Sequence, residues 1–305
     1  MTVMKAGKRL PGTPDPMHVW NGAGGLRIAG DSWGNPDDPV VLLLHGGGQT
    51  RHAWRGTGKS LATAGYYAVA FDARGHGDSD WSAEADYSWD AMAADLRCIV
   101  EALGNRQPAL VGASMGGSTS LVSVGEDRID ATALVLVDIV PRTEPSGFER
   151  VRSFMTQMPG GFDSLDDVAE AVSKYRPDRP KPRNTEGLAK NVRLTDDGKY
   201  RWHWDPRFLT STGELDQRHQ RMSASARRIT LPTLLVRGGG SDVVSESGAQ
   251  EFLELCPRAE YVNILGAGHM ITGDRNDIFG RAVIDFLTRH LAADTAMRFN
   301  NNLET

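Results

Sequence analysis

The chain has little cysteine: two residues, Cys98 and Cys256, in 305. So few thiols, so far apart, exclude a disulfide scaffold and suit reduced, packed side chains, which points to a cytoplasmic protein. No apolar run approaches the length of a membrane span, and no apolar stretch follows the basic residues of the first sixteen positions, so no signal peptide is expected. A net charge of −5 gives no electrostatic basis for binding nucleic acid or an anionic membrane. No Cys/His cluster and no pair of histidines at metal-ligand spacing is present, so no metal is expected. The triplet Gly238-Gly239-Gly240 lacks the lysine of a phosphate loop and opens no long helix, so no nucleotide cofactor is expected either.

What the chain does have is an alternation of buried-type strands and amphipathic helices, the pattern of an α/β protein with a mainly parallel sheet. The runs Val40–Leu44, Tyr67–Phe71, Pro108–Val111, Leu134–Val137, Thr233–Val236 and Tyr261–Leu265 read as strands. Continuous apolar runs of this kind suit strands covered on both faces. Trp89–Leu103 and about Asp277–Leu291 carry helical periodicity, the first closing at Gly104 as a C-cap. His18–Trp33 reads as antiparallel edge strands around the turns at Asn21-Gly22 and Gly24-Gly25. The alternation stops between Pro141 and Arg228. This stretch is rich in Pro, Arg and Asp yet carries Phe154, Met155, Met158, Phe162, Trp202, Trp204 and Phe208. That aromatic content argues against a disordered linker and for a mostly helical insertion over the carboxyl edge of the sheet.

The most informative stretch is Gly112-Ala113-Ser114-Met115-Gly116. It follows an apolar strand and precedes a small-residue helix, so it reads as a sharp strand-to-helix turn with a serine at the apex. A serine hydroxyl is a weak nucleophile until a base removes its proton. Ligands of open α/β sheets bind beyond the carboxyl ends of the strands. His269 follows the last strand, Asp242 the one before it, and His45-Gly46-Gly47-Gly48 the first buried one. Histidine titrates near neutrality and can take and return the serine proton. An acid would hold its tautomer and stabilise the imidazolium. Two acids compete for that place. Asp242, 27 residues before His269, leaves room for one helix and one strand and is preferred. Asp138, at the end of Leu134–Val137, is the rival, otherwise a hydrogen-bonding strand-end residue. The backbone N–H of Met115 opens a helix, where amides are unpaired and the dipole favours negative charge, so it suits a developing oxyanion.

The His45-Gly46-Gly47-Gly48 loop, Asp72-x-Arg74-Gly75-His76-Gly77-x-Ser79, Gly112-x-Ser114-x-Gly116, Asp242 and Gly268-His269 together resemble the α/β-hydrolase superfamily over about residues 18 to 290. The resemblance is nearest to its capped branch of esterases, lactonases, carbon–carbon bond hydrolases, epoxide hydrolases and haloalkane dehalogenases. It implies an eight-stranded, mainly parallel sheet flanked by helices. The core would be residues 1–140 and 229–295, the mostly helical cap 141–228, and a flexible tail 296–305. It implies Gly47 as the second oxyanion donor beside Met115. Dehalogenases and epoxide hydrolases use an aspartate nucleophile, so Ser114 disfavours both. The expected activity is hydrolysis of a small-molecule carboxylic ester or lactone through an acyl-enzyme on Ser114, with His269 and Asp242 completing a triad. Carbon–carbon hydrolysis, with Arg142, Arg150, Arg152 or Arg193 reading a substrate carboxylate, is the alternative. A binding protein that keeps the fold without turnover is another. Asp72 and Arg74 read as loop ties, His45 and His76 as scaffold residues, and His203 as pocket lining or cap surface. Oligomeric state lies beyond a single sequence.

Overall fold

The structure, a computed structural model, describes residues 7–175, 186–210, 214–269 and 276–301. The Pro- and Arg-rich segment 177–183 falls outside these. Eight strands form one sheet: β1 (His18–Asn21), β2 (Arg27–Trp33), β3 (Val40–Leu44), β4 (Tyr67–Phe71), β5 (Ala109–Ala113), β6 (Ala133–Val137), β9 (Thr233–Gly238) and β10 (Glu260–Ile264), in the order β1-β2-β4-β3-β5-β6-β9-β10. β2 runs antiparallel to β1 and β4, and the rest are parallel. The eight-stranded, mainly parallel sheet is the one expected.

Period-two alternation builds both layers of the core. Val40, Leu42 and Leu44 of β3 face one cluster with Leu96, Ile99, Leu121 and Phe252, whereas Val41 and Leu43 face the other with Trp54, Leu61, Phe279 and Phe286. The first cluster is covered by α2 (Trp89–Ala102), α3 (Met115–Gly125), α6 (Leu215–Arg227) and α7 (Glu246–Leu255). The second is covered by α1 (Arg55–Thr63) and α8 (Asn276–Asn301). α2 starts on the Ser88 side chain, which accepts from the Ala91 N–H, and it stops before Gly104, whose φ of 85° is the left-handed cap conformation.

One reading is refined and two need correction. The insertion, read as mostly helical, contains α4 (Pro145–Thr156) and α5 (Leu165–Tyr175) and, besides them, a two-stranded antiparallel ribbon, β7 (Val192–Leu194) with β8 (Tyr200–Trp202). Each ribbon strand is only three residues long, too short to show a period. Second, α6 does not lie in the cap. It packs along α3 and α7, and its Met222 and Ala226 join the sheet's own core. The covering part therefore ends before Leu215 rather than at 228. Third, the closing helix continues to Asn301 instead of ending near 291; residues 302–305 lie outside the described ones.

The cap has its own apolar cluster, with Met155, Phe162, Val168, Trp202, Trp204 and Phe208 buried. Trp202 stacks on Trp204 at 4.8 Å. The N-terminal segment joins it: Leu10 packs in the same cluster, and Lys8 bridges to Leu194. Both thiols are free. Among the described residues no helix is long and apolar enough to cross a membrane.

Candidate active site

Parallel register brings four strand ends side by side. Leu44 pairs with Gly112, Ala113 with Val137, and Val137 with Val236. The residues that follow these strands therefore emerge together at one edge of the sheet.

Ser114 sits at φ 46°, ψ −111°, a conformation that costs a non-glycine residue of order 1–3 kcal/mol and is held only by tight surroundings. Those surroundings are the flanking glycines. A Cβ on Gly112 would meet the Gly116 carbonyl oxygen at 2.5 Å, and one on Gly116 would meet the Leu44 oxygen at 2.4 Å. Two backbone bonds lock the turn: Ser114 N–H donates to Val137 O at 3.0 Å and Gly116 N–H to His45 O at 3.1 Å. The second ties the serine turn to the glycine loop after β3. Met115 is the first residue of α3, so its amide has no acceptor within the helix.

The acid beside His269 is Asp138. Its Oδ2 lies 2.6 Å from His269 Nδ1. The same oxygen accepts from Ser241 Oγ at 2.6 Å, and Oδ1 accepts from the Gly238 N–H at 2.9 Å. Asp138 is 1 % exposed. The preference for Asp242 is thus overturned. Asp242 is ion-paired with Arg150 at 2.8 Å, both at the surface, with side chains 33 % and 53 % exposed. The physical reason lies in the loop after β9. It turns so that Ser241 points inward, where its hydroxyl also accepts from the Val243 and Val244 amides. Asp242, one residue on, faces outward under α4. His269 must also cross over β9 from β10 to reach β6. It does so where a Cβ on Gly238 would meet the Gly268 oxygen at 2.5 Å, and the crossing is pinned by Gly240 N–H donating to Ala267 O at 2.9 Å. Residue spacing sees neither event.

Three buried histidines brace the glycine loop. His45 Nε2 accepts from the Ala73 N–H at 3.0 Å, which leaves Nδ1–H for the Gly46 carbonyl at 2.8 Å. His76 donates from Nδ1 to Arg74 O at 3.2 Å and accepts from the Gly48 N–H at Nε2, also at 3.2 Å. His203 accepts from the Gly77 N–H at 2.8 Å and donates to Gly48 O at 3.3 Å. Each ring needs one bare nitrogen. Burial supplies the neutral form, pushing the His45 pKa below its ordinary value, His203 well below it and His76 down to about 3. His203 is therefore neither pocket lining nor cap surface but a buried brace on the glycine loop. Asp72 and Arg74 tie loops as read, through Arg51 and Asp95, each at 2.6 Å.

Ser114, His269, Gly47 and Met115 line one cavity of about 250 Å³. Its wall is mostly apolar, with Met92, Ile139, Phe148, Val151, Met155 and Phe208. Of the four arginines named from sequence, only Arg152 lines it. Arg142 pairs with Glu251, Arg150 with Asp242, and Arg193 with Asp78. Arg218 and Arg221, which do line it, are not among those four, because the stretch that holds α6 reads only as part of a mostly helical insertion with no face assigned to the site. Among the described residues no cluster of His, Cys, Asp and Glu could hold a metal ion.

The chain is similar in sequence to an esterase of Mycobacterium tuberculosis, 27 % identical over 251 residues that cover 80 % of each chain. It is also similar to the 3-hydroxybutyrate-oligomer hydrolase of Cupriavidus necator, 26 % identical over 268 residues, covering 82 % of this chain and 89 % of that one. In fold it matches the crystal structure of E-2-(acetamidomethylene)succinate hydrolase with a TM-score of 0.76, at 21 % identity, over 88 % of this chain and 98 % of that one. The family model described as the alpha/beta hydrolase fold matches residues 39–275. With its sheet order, its serine turn and that match, the chain belongs to the α/β-hydrolase family.

Proposed function

We propose that the protein hydrolyses carboxylic esters, lactones among them, through an acyl-enzyme on Ser114. The observation that carries this reading is the 2.6 Å contact of His269 Nδ1 with a buried carboxylate, in the cavity that also holds a strained serine. Asp138 accepts the Nδ1–H, which leaves Nε2 bare to take the Ser114 proton. Ser114 Oγ attacks the carbonyl carbon, and the oxyanion is received by the N–H groups of Met115 and Gly47. His269 returns the proton to the leaving alcohol. It then takes one from water, which attacks the acyl-enzyme, and gives that proton back to Ser114 as the acid departs. The relatives named for ester hydrolysis support the same class of chemistry. The carbon–carbon alternative is not favoured by the arginines first considered, three of which are occupied elsewhere.

Labelling with a fluorophosphonate, followed by peptide mapping, tests the reading. The adduct is expected on Ser114 and is expected to be lost in His269→Ala. No adduct on folded protein would refute an activated serine.

A further inference from the structure

Gln49 closes the glycine loop after β3 twice. Its backbone N–H donates to Gly46 O at 3.0 Å, and Gly48 has a φ of 72°, the pattern of a type II turn over 46–49. Such a turn leaves the N–H groups of its two central residues, Gly47 and Gly48, without an acceptor inside it. The second closure is made by the side chain: Gln49 Oε1 accepts from the Gly46 N–H at 2.9 Å. Around these bonds nearly every polar backbone group of the three glycines is matched. Gly46 O also takes the His45 Nδ1–H, the Gly48 N–H goes to His76, and Gly48 O receives the His203 ring N–H. Of the three glycine amides, only that of Gly47 has no acceptor among the described residues, and Gly47 lines the cavity that holds Ser114 and His269. Gly46 is buried and lies against the nucleophile. A Cβ on it would sit 3.3 Å from the Ser114 Cβ and 3.1 Å from Gln49 Oε1.

We propose that, in the ester hydrolysis inferred above, Gln49 is a positioning residue: it occupies the Gly46 amide and so holds the Gly47 amide where the oxyanion forms. A buried N–H that loses its acceptor is costly, so a Gly46 amide released from Gln49 turns toward another one. Glycines resist such a shift weakly, and the Gly47 N–H loses its aim. The oxyanion exists only around the transition state, where a fixed donor gains most. Lost aim therefore falls on kcat and spares KM. Gln49 also lines, with Ser114 and His269, a recess of about 50 Å³ beside the larger cavity. If it served only as a wall there, its loss would act through the room left for substrate, and so through KM.

The test uses Gln49→Met and Gln49→Leu. Both lack the oxygen, and the first keeps the unbranched length and with it the packing. On a short 4-nitrophenyl ester kcat is expected to fall about 10- to 100-fold, less than the roughly 10²- to 10³-fold for deleting an oxyanion donor outright, while KM stays within about threefold. A trifluoromethyl ketone, 1,1,1-trifluoroheptan-2-one, gives the second readout. Ser114 Oγ adds to its carbonyl carbon, the serine proton passes to His269, and the carbonyl oxygen becomes an oxyanion at the same donors. Its Ki is expected to rise by the factor that kcat/KM loses, whereas the Ki of 1,1,1-trifluoroheptan-2-ol, which cannot add, stays. An unchanged kcat in either folded variant overturns the role of Gln49. So does a rise in KM at constant kcat, or a ketone Ki that stays while kcat falls. These results leave the ester-hydrolase reading standing, because wild-type turnover and Ser114 labelling carry it. If the wild-type protein cleaves no ester and Ser114 does not label, that reading falls and the role of Gln49 with it.

Discussion

Replacing Asp138 by asparagine separates the two candidate acids. The side chain is buried and makes three hydrogen bonds, one from the Gly238 N–H to Oδ1 and two, from Ser241 and His269, to Oδ2. Asparagine keeps one acceptor oxygen. If the amide NH₂ faced the Gly238 N–H, two buried donors would oppose each other, at a cost of roughly 1–3 kcal/mol. The oxygen therefore stays on Gly238 and the NH₂ turns toward Ser241 and His269. Ser241 already accepts from the Val243 and Val244 amides and loses its own acceptor, and His269 Nδ1 can accept only as a bare nitrogen. The proton then moves to Nε2, and the ring loses its ability to take the Ser114 proton. Such a tautomer error lowers kcat by about 10⁴, or about 5.5 kcal/mol of activation free energy, with the fold intact. Asp242→Asn, by contrast, breaks only a half-exposed pair with Arg150, worth about 0–1 kcal/mol, so turnover is expected to stay within a few-fold. The assay is kcat on a short 4-nitrophenyl ester, with circular dichroism and a thermal melt to show that both variants are folded. A loss of 10³ or more in Asp242→Asn, with Asp138→Asn within tenfold of wild type, would refute the assignment.

Further outcomes follow from the same geometry. Gly238→Ala places a methyl within 2.5 Å of the Gly268 oxygen. The His269 loop must shift, and activity should fall about 100-fold or more while the sheet remains folded; an unchanged kcat would show that the crossing tolerates a side chain. His45, His76 and His203 are held neutral by burial. Unfolded, each takes a proton near pH 6.5, so below that pH the unfolded state binds more protons and stability falls with pH, each ring adding up to about 1.4 kcal/mol per pH unit. Urea unfolding between pH 7.5 and 5 checks this, and a flat profile would contradict it. His203→Phe should lower kcat more than it raises KM, because Gly48 loses an anchor; an effect on KM alone would place His203 outside the oxyanion loop's support.

Much of this arrangement is written locally. The all-apolar runs of β3, β4 and β6 announce strands covered on both faces, and the glycines around Ser114 announce a turn that no larger residue survives. His269 follows a strand and a glycine, and it stands where that order places it. The acid was harder because two aspartates follow adjacent strands, and the choice turns on where a loop points its side chains. Ser241 and Asp242 are neighbours, and a turn of one residue exchanges their roles. The ribbon β7–β8, the sheet-side packing of α6 and the burial of His203 are set by contacts between distant segments, which no window of sequence contains.

The position of His203 changes how this molecule can be engineered. Its ring reaches from beside β8 to Gly48 and Gly77, and two residues on, the Asp205 N–H donates to Gly75 O at 2.8 Å. Substrate range in such architectures is an attractive target for exchanging the covering segment between homologues. Here a donor segment that fits the rim but lacks an imidazole at this point would leave the receiving loop slack beneath it. A transplant should therefore carry 203–205 with it, or keep them from the recipient, so that the graft junctions fall on either side of this stretch and not within it.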